Sequence, residues 1–351
     1  MTQHVFFDCD TGIDDSVALL YLLARADVDL VGIASTAGNV PADVVAANNL
    51  AWLELCGRTE IPVHLGPPSP LVAELMTTED THGPLGVGYA ELPAAGGTVD
   101  STDAAGAWID ASLTYPGELI GLVTGPMTSL ATAIRRDPAL PHRLRRLVIM
   151  GGAFRTHGNT TPTTEWNIAV DPEAASEVFA AFGTDGAPAP IVCPLDLTES
   201  IALLPDHLVR LAATAGSTPL ECPDPDDPPG LRSVADNAIV RHLVDALRFY
   251  LEFHHAHGEG YIAHLHDPFA AMVAVDPDVA DTRAAHVDVE LGGTLTRGTT
   301  VADERGMWGG EPNARIAVGT DVDAVFDELI DRIGTFAAAV ASGGSGVASS
   351  G

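Results

Sequence analysis

Lysine is absent from this 351-residue chain: its 17 basic residues are all arginine, set against 48 Asp and Glu. That absence excludes Schiff-base and pyridoxal phosphate chemistry, a Walker-type phosphate lysine and a lysine general base. The formal net charge of −31 opposes nucleic acid, anionic membranes and polyphosphates through long-range repulsion. It leaves neutral small molecules, and cations at local carboxylate clusters, as expected partners. No apolar run approaches the roughly 20 residues that span a bilayer. The opening MTQHVFFDCD has no basic segment followed by an apolar stretch, so no signal peptide is expected. Cys9, Cys56, Cys193 and Cys222 have neither metal-ligand nor disulfide-framework spacing. Cys9 and Cys193 sit in apolar runs and read as core thiols, which gives a reducing, cytoplasmic setting as the expectation. No internal repeat is present.

What is present is enough apolar material, 46% of residues, to bury a sizeable core. Short β-branched runs alternate with Ala-rich amphipathic segments. Strands are expected at His4–Phe7, Leu30–Thr36, Glu118–Val123, Leu147–Met150 and Pro190–Cys193. Helices are expected at Asp15–Ala26, Pro41–Cys56, Thr128–Arg136 and Pro172–Phe182. This alternation predicts an α/β fold, a mainly parallel, Rossmann-like sheet flanked by helices. One domain is expected over 1–341, followed by a flexible Gly/Ser tail at 342–351. The segment Glu221–Gly230 (ECPDPDDPPG) cannot hold a helix and reads as a solvated surface loop.

Ligands of open α/β sheets gather beyond the carboxyl ends of the strands. The first strand runs straight into Asp8-Cys-Asp10-Thr-Gly12-Ile-Asp14-Asp15. Four carboxylates within eight residues repel one another unless a proton or a cation intervenes. Asp8 and Asp10 share a side of the strand by its period of two, and Gly12 allows a turn before Asp14 and Asp15 open a helix. All-oxygen ligation selects Ca²⁺ or Mg²⁺ over zinc. Helix capping by Asp14 or Asp15 accounts for one or two of the acids, not four. The same run superficially resembles the nucleophile loop of haloacid-dehalogenase-type phosphatases. Gly12 and the missing lysine argue against that reading.

Two further groups carry chemistry. Asn159, Glu165, Trp166 and Asn167 suit hydroxyl recognition, with the Trp166 ring against a sugar or base, although Asn and Thr also serve local loop backbone. In His264-Leu-His266-Asp267-Pro268, Asp267 is a distant carboxylate for the first cluster, and His266 is either a general acid or half of a helix-capping pair. The run His254, His255, His257 raises a zinc site, but its spacing does not match a closed tetrahedral set.

In this order the motifs resemble the inosine–uridine-preferring nucleoside hydrolases over residues 3–335. The opening D-x-D-x-G-x-D-D matches that family's signature. Thr36-Ala-Gly38-Asn39, His82-Gly83, Thr124-Gly125-Pro126, Met150-Gly151-Gly152, Gly158-Asn159, Glu165-Trp166-Asn167, Asp171-Pro-Glu, His266-Asp267-Pro268 and Thr300–Asp303 continue the match. The resemblance implies calcium-dependent hydrolysis of the N-glycosidic bond of ribonucleosides, in nucleoside salvage, by a homodimer or homotetramer. It implies Ca²⁺ on Asp10, Asp15, Asp267 and the Thr124 carbonyl. Asp14, Asn39 and Asn167 would then hold the ribose 2′- and 3′-hydroxyls, and Asn159 and Glu165 the 5′-hydroxyl. Asp10 becomes the base that activates water, Asp8 a supporting acid, His266 the proton donor to the leaving base, and His82 a residue closing over that base. Ser129 departs from the family's frequent Asn, which bears on support of the Thr124 carbonyl. Glu252–Ala263 lacks the usual aromatic pattern, with Tyr250 and Tyr261 as candidates. A hydrolase of a modified ribosyl compound and a non-catalytic nucleoside or ribose binder are the alternatives.

Overall fold

The structure is a computed structural model that describes residues 2–183 and 186–343; most of the expected Gly/Ser tail, residues 344–351, lies outside the described residues. Among the described residues eleven strands are formed: β1 Gln3–Cys9, β2 Val28–Ser35, β3 Val63–Leu65, β4 Leu119–Val123, β5 Leu144–Met150, β6 Ile191–Cys193, β7 Ala202–Leu203, β8 Ala263–His264, β9 Asp281–Val289, β10 Thr300–Asp303 and β11 Ala314–Gly319. Nine of them make one sheet in the order β10-β9-β11-β6-β5-β4-β1-β2-β3, and β7 and β8 pair as a separate ribbon. In this sheet the run from β3 through β2, β1, β4, β5 and β6 to β11 is parallel, and β9 is the reversed strand, antiparallel to both β11 and β10. The expected α/β class therefore holds. The strand order reverses between β1 and β4, the switch point at which crossovers diverge and a crevice opens.

Both faces of the sheet are covered, which is why the central strands read as nearly continuous apolar runs. Val5, Phe7 and Cys9 of β1 enter one core with the helices Ile13–Ala24, Ala238–Ala256, His266–Val275 and Val322–Ala341. Phe6 enters the other, with the helices Ala104–Thr114, Thr128–Arg136 and Pro172–Ala181. Cys9 and Cys193 are buried free thiols, as expected. Among the described residues no helix is long and apolar enough to cross a membrane.

Two helices aim at the switch point. Helix Ile13–Ala24 begins there because Gly12 leaves the strand, and the Asp15 carboxylate accepts the Gly12 N–H at 2.7 Å. Helix His266–Val275 packs against it and against β4 and β5, with Asp267 in its first turn. The positive ends of both helices thus face the same carboxylates and favour their charge.

Candidate active site

The carboxylates after β1 divide into two sets. Asp8 accepts from the Thr36 hydroxyl and, at 2.7 Å, from the Trp108 indole N–H, both buried. It does not join the cluster, because both its oxygens serve the scaffold. Strand pairing ends at Cys9, so the period-two rule that grouped Asp8 with Asp10 has no purchase on Asp10. Asp10 Oδ2 accepts the Asn39 backbone N–H at 2.8 Å, whereas its Oδ1 is buried with no partner. An orphaned carboxylate oxygen is costly to bury and calls for a proton donor or a cation.

Beside it, one carboxylate oxygen from each of Asp14, Asp15 and Asp267 lies within 4.8 Å of the others, all three residues being buried. Burial, then mutual repulsion, pushes Asp10 and Asp267 well above the usual carboxylate range and Asp14 up to about 7. Burial also raises Asp15, against hydrogen bonds from the Thr124 hydroxyl and Gly12. The Asn39 amide reaches Asp15 at 3.4 Å. The donor set is all oxygen, so a hard divalent cation fits these residues. Glycines make the tight approach possible. A Cβ at Gly38 would stand 2.1 Å from Asp10 Oδ2, and one at Gly12 would stand 2.5 Å from the Asn39 amide.

Asn167 links the second group to the first. Its amide donates to the Thr124 carbonyl at 2.7 Å and to the Met150 carbonyl at 3.2 Å. Ser129 instead bonds the Thr36 hydroxyl at 2.7 Å, so it supports the Asp8 side and leaves Thr124 to Asn167. Glu165 is buried, and its carboxylate accepts the backbone N–H groups of Gly152, Asn167 and Ile168. It caps the short helix Trp166–Val170, the local role that loop chemistry predicts. Asn159 is exposed and accepts the Trp166 backbone N–H at 3.0 Å. Trp166 is half-buried, with its indole N–H unpartnered.

A line of histidines forms the neighbouring wall. His266 is buried at the start of its helix, and its Nδ1 is 2.8 Å from the Thr198 hydroxyl. Burial, then the adjacent His264, His254 and His82, holds its pKa well below the usual histidine value, so it rests neutral. His82 Nδ1 accepts the Ile13 backbone N–H at 3.0 Å, which fixes its proton on Nε2. Burial lowers His82 to about 3. Its ring lies 5.5 Å from that of Tyr250, which in turn lies 4.5 Å from His254. Thr198, Trp108 and Tyr250 carry these contacts, and no spacing motif marks the first two.

The acidic segment 221–230 is a surface loop, as expected, with most of its residues exposed, and it is also fastened. Asp227 pairs at 2.7 Å with Arg248, which is buried, and Gly230 N–H reaches the Glu252 carboxylate. Glu221 bonds Ser233 and the Val234 N–H. The segment is thereby tied to helix Ala238–Ala256.

Comparison with known proteins defines the class. Residues 5–327 match the family described as inosine-uridine preferring nucleoside hydrolase. The chain is 33% identical over 338 residues to the pyrimidine-specific ribonucleoside hydrolase RihA of Citrobacter koseri, covering 96% of this chain and 100% of that one. Among solved structures, a purine-preferring ribonucleoside hydrolase from Gardnerella vaginalis superposes with a TM-score of 0.83 at 28% identity, over 96% of this chain and 99% of that one. A plant nucleoside hydrolase superposes with a TM-score of 0.83 at 27% identity, over 95% and 99% respectively. The class is that of the nucleoside hydrolases. This chain belongs to the inosine–uridine preferring family, as its motifs had indicated.

Proposed function

We propose that the protein cleaves the N-glycosidic bond of neutral ribonucleosides to free base and ribose, with Ca²⁺ as its metal. The observation that carries this reading is the unpartnered Asp10 Oδ1 beside Asp14, Asp15 and Asp267 at the switch point. Asp10, Asp15, Asp267 and the Thr124 carbonyl are the residues that would hold the ion. When bound, it supplies charge that lowers the pKa of water and fixes the ribose hydroxyls.

The protein's own residues do the rest. Asp10 takes the proton of the water that attacks C1′. Cleavage passes through an oxocarbenium-like state, whose positive charge the surrounding carboxylates stabilise. Asp14, Asn39 and Asn167 hold the 2′- and 3′-hydroxyls, while Asn159 and Glu165 hold the 5′-hydroxyl. For Glu165 this uses lone pairs beyond the three it gives to backbone N–H groups. Trp166 lines the same side.

With Nδ1 held by Thr198, His266 presents Nε2 to the leaving base. It must be charged before it gives up a proton, and negative charge growing on the base favours that. His82 borders the base from helix Glu79–His82. The resemblance carries with it a homodimer or homotetramer in nucleoside salvage, and the unpaired cysteines favour a cytoplasmic setting. The absence of lysine and the acidic field favour a nucleoside over a nucleotide.

The test is a panel of purine, pyrimidine and modified ribosyl substrates assayed for reducing sugar, with and without Ca²⁺. Release of ribose from any common ribonucleoside supports the reading. Ribose binding without turnover would instead identify a binding protein, and turnover of modified substrates alone would narrow the substrate class.

A further inference from the structure

A second group of potential ligands lies outside the carboxylate cluster. One ligand atom each from His254, Glu259 and His264 lies within 4.8 Å of the others. The HHxH run does not assemble; it contributes only His254, and the other two come from the following turn and from β8.

The state of each ligand is set by its other contacts. His254 is buried, and its Nδ1 sits 2.9 Å from the Tyr250 backbone carbonyl. A carbonyl only accepts, so Nδ1 carries the proton and Nε2 keeps its lone pair. That lone pair faces the Glu259 carboxylate at 3.6 Å, acceptor against acceptor. The His264 Nδ1 is buried with no partner. In the His264 tautomer that carries its proton on Nε2, the unpartnered Nδ1 offers a lone pair, so two imidazole nitrogens and one carboxylate are close enough to share one ion. A ring N–H donated to a backbone carbonyl is the usual outer support of a metal-bound histidine.

Glu259 lies between Gly258 and Gly260, both at positive φ (+81° and +101°), in a turn that glycine leaves free to tighten. The Glu259 N–H bonds the His254 carbonyl at 3.0 Å, which keeps the turn over the histidine.

We propose that His254 Nε2, His264 Nδ1 and Glu259 form a second metal site, selective for zinc-like divalent ions over Ca²⁺. Nitrogen donors suit such an ion, as oxygen suits calcium, and three protein ligands leave the fourth tetrahedral position open. Ligands would close by a small movement of the Glu259 turn. An ion there fastens that turn to helix Ala238–Ala256 and to β8, one histidine ring away from His266.

Cobalt(II) tests this, because it reports coordination by visible absorption independently of turnover. Metal-stripped full-length protein is titrated with Co²⁺ in excess Ca²⁺, which occupies the carboxylate cluster. The expected result is one equivalent bound with the strong absorption of a tetrahedral ion, displaced by Zn²⁺. Glu259→Gln, at an exposed turn, should weaken binding about tenfold or more, and His264→Gln should abolish the band, with circular dichroism unchanged. Asp15→Asn should keep it. No strong band, a band removed by Ca²⁺, or a band unchanged in both Glu259→Gln and His264→Gln overturns the proposal.

Discussion

The carboxylate wall and the histidine wall of the site are both anchored and both buried, but they differ in what would complete them. Asp10 and Asp15 each receive a fixed backbone donor, the Asn39 N–H and the Gly12 N–H. His82, His254 and His266 also hold one ring nitrogen each on a fixed partner, and the rings then stand against one another and against Tyr250 with separations of 4.5–5.5 Å. Burial drives both walls toward neutrality, raising the acids and lowering the histidines. The lesson is that the acids await a cation, whereas the histidines await a proton or a softer ligand.

The sharpest way to break this contrast is at Asp10. Asp10→Ala removes a buried carboxylate oxygen without a partner, and ribose release should fall on the order of 10²–10⁴-fold, the range for loss of a positioned base. Circular dichroism should stay unchanged; retention of wild-type turnover would remove Asp10 from the chemistry. On the other wall, His266→Ala should cost about 10²-fold with purine nucleosides, at the lower end of general-acid effects. A substrate whose leaving group is already activated should lose far less, and equal losses on both would show that His266 does not donate the proton. Binding contrasts the walls as well. Ca²⁺ at 100 times its Kd should stabilise the fold by about 2.7 kcal/mol, a gain that Asp15→Asn removes and Glu259→Gln leaves in place, as read by thermal unfolding.

The two walls were not equally legible in the sequence. The carboxylates lie in one eight-residue motif after a strand, so their convergence follows from local geometry and from the switch-point rule. The parallel core was legible for the same reason: strand and helix periods alternate from His4 to Cys193. The histidine wall joins residues 82, 250, 254, 264 and 266, which only the packing of helix Ala238–Ala256 and the β7–β8 ribbon brings together. Nothing in their spacing encodes that. Asp8 went to the scaffold because its partners, Thr36 and Trp108, are 28 and 100 residues away. The surface loop 221–230 was legible from its Asp, Pro and Gly composition, but the buried Arg248 that grips Asp227 was not.

Asp8 yields the smallest expected effect on chemistry and a distinct one on stability. Trp108→Phe keeps most of the ring's volume in the second core and removes only the indole N–H that Asp8 accepts. A buried carboxylate left short of one donor costs roughly 1–3 kcal/mol, and Asp8, already raised to about 7, moves further toward its protonated form. Urea unfolding should therefore show a lower midpoint, while kcat/KM changes by less than about threefold, since Asp8 touches the scaffold and not the cluster. A loss of activity as large as that of Asp10→Ala, with stability unchanged, would place Asp8 among the reacting groups and dissolve the division between scaffold acid and site acid.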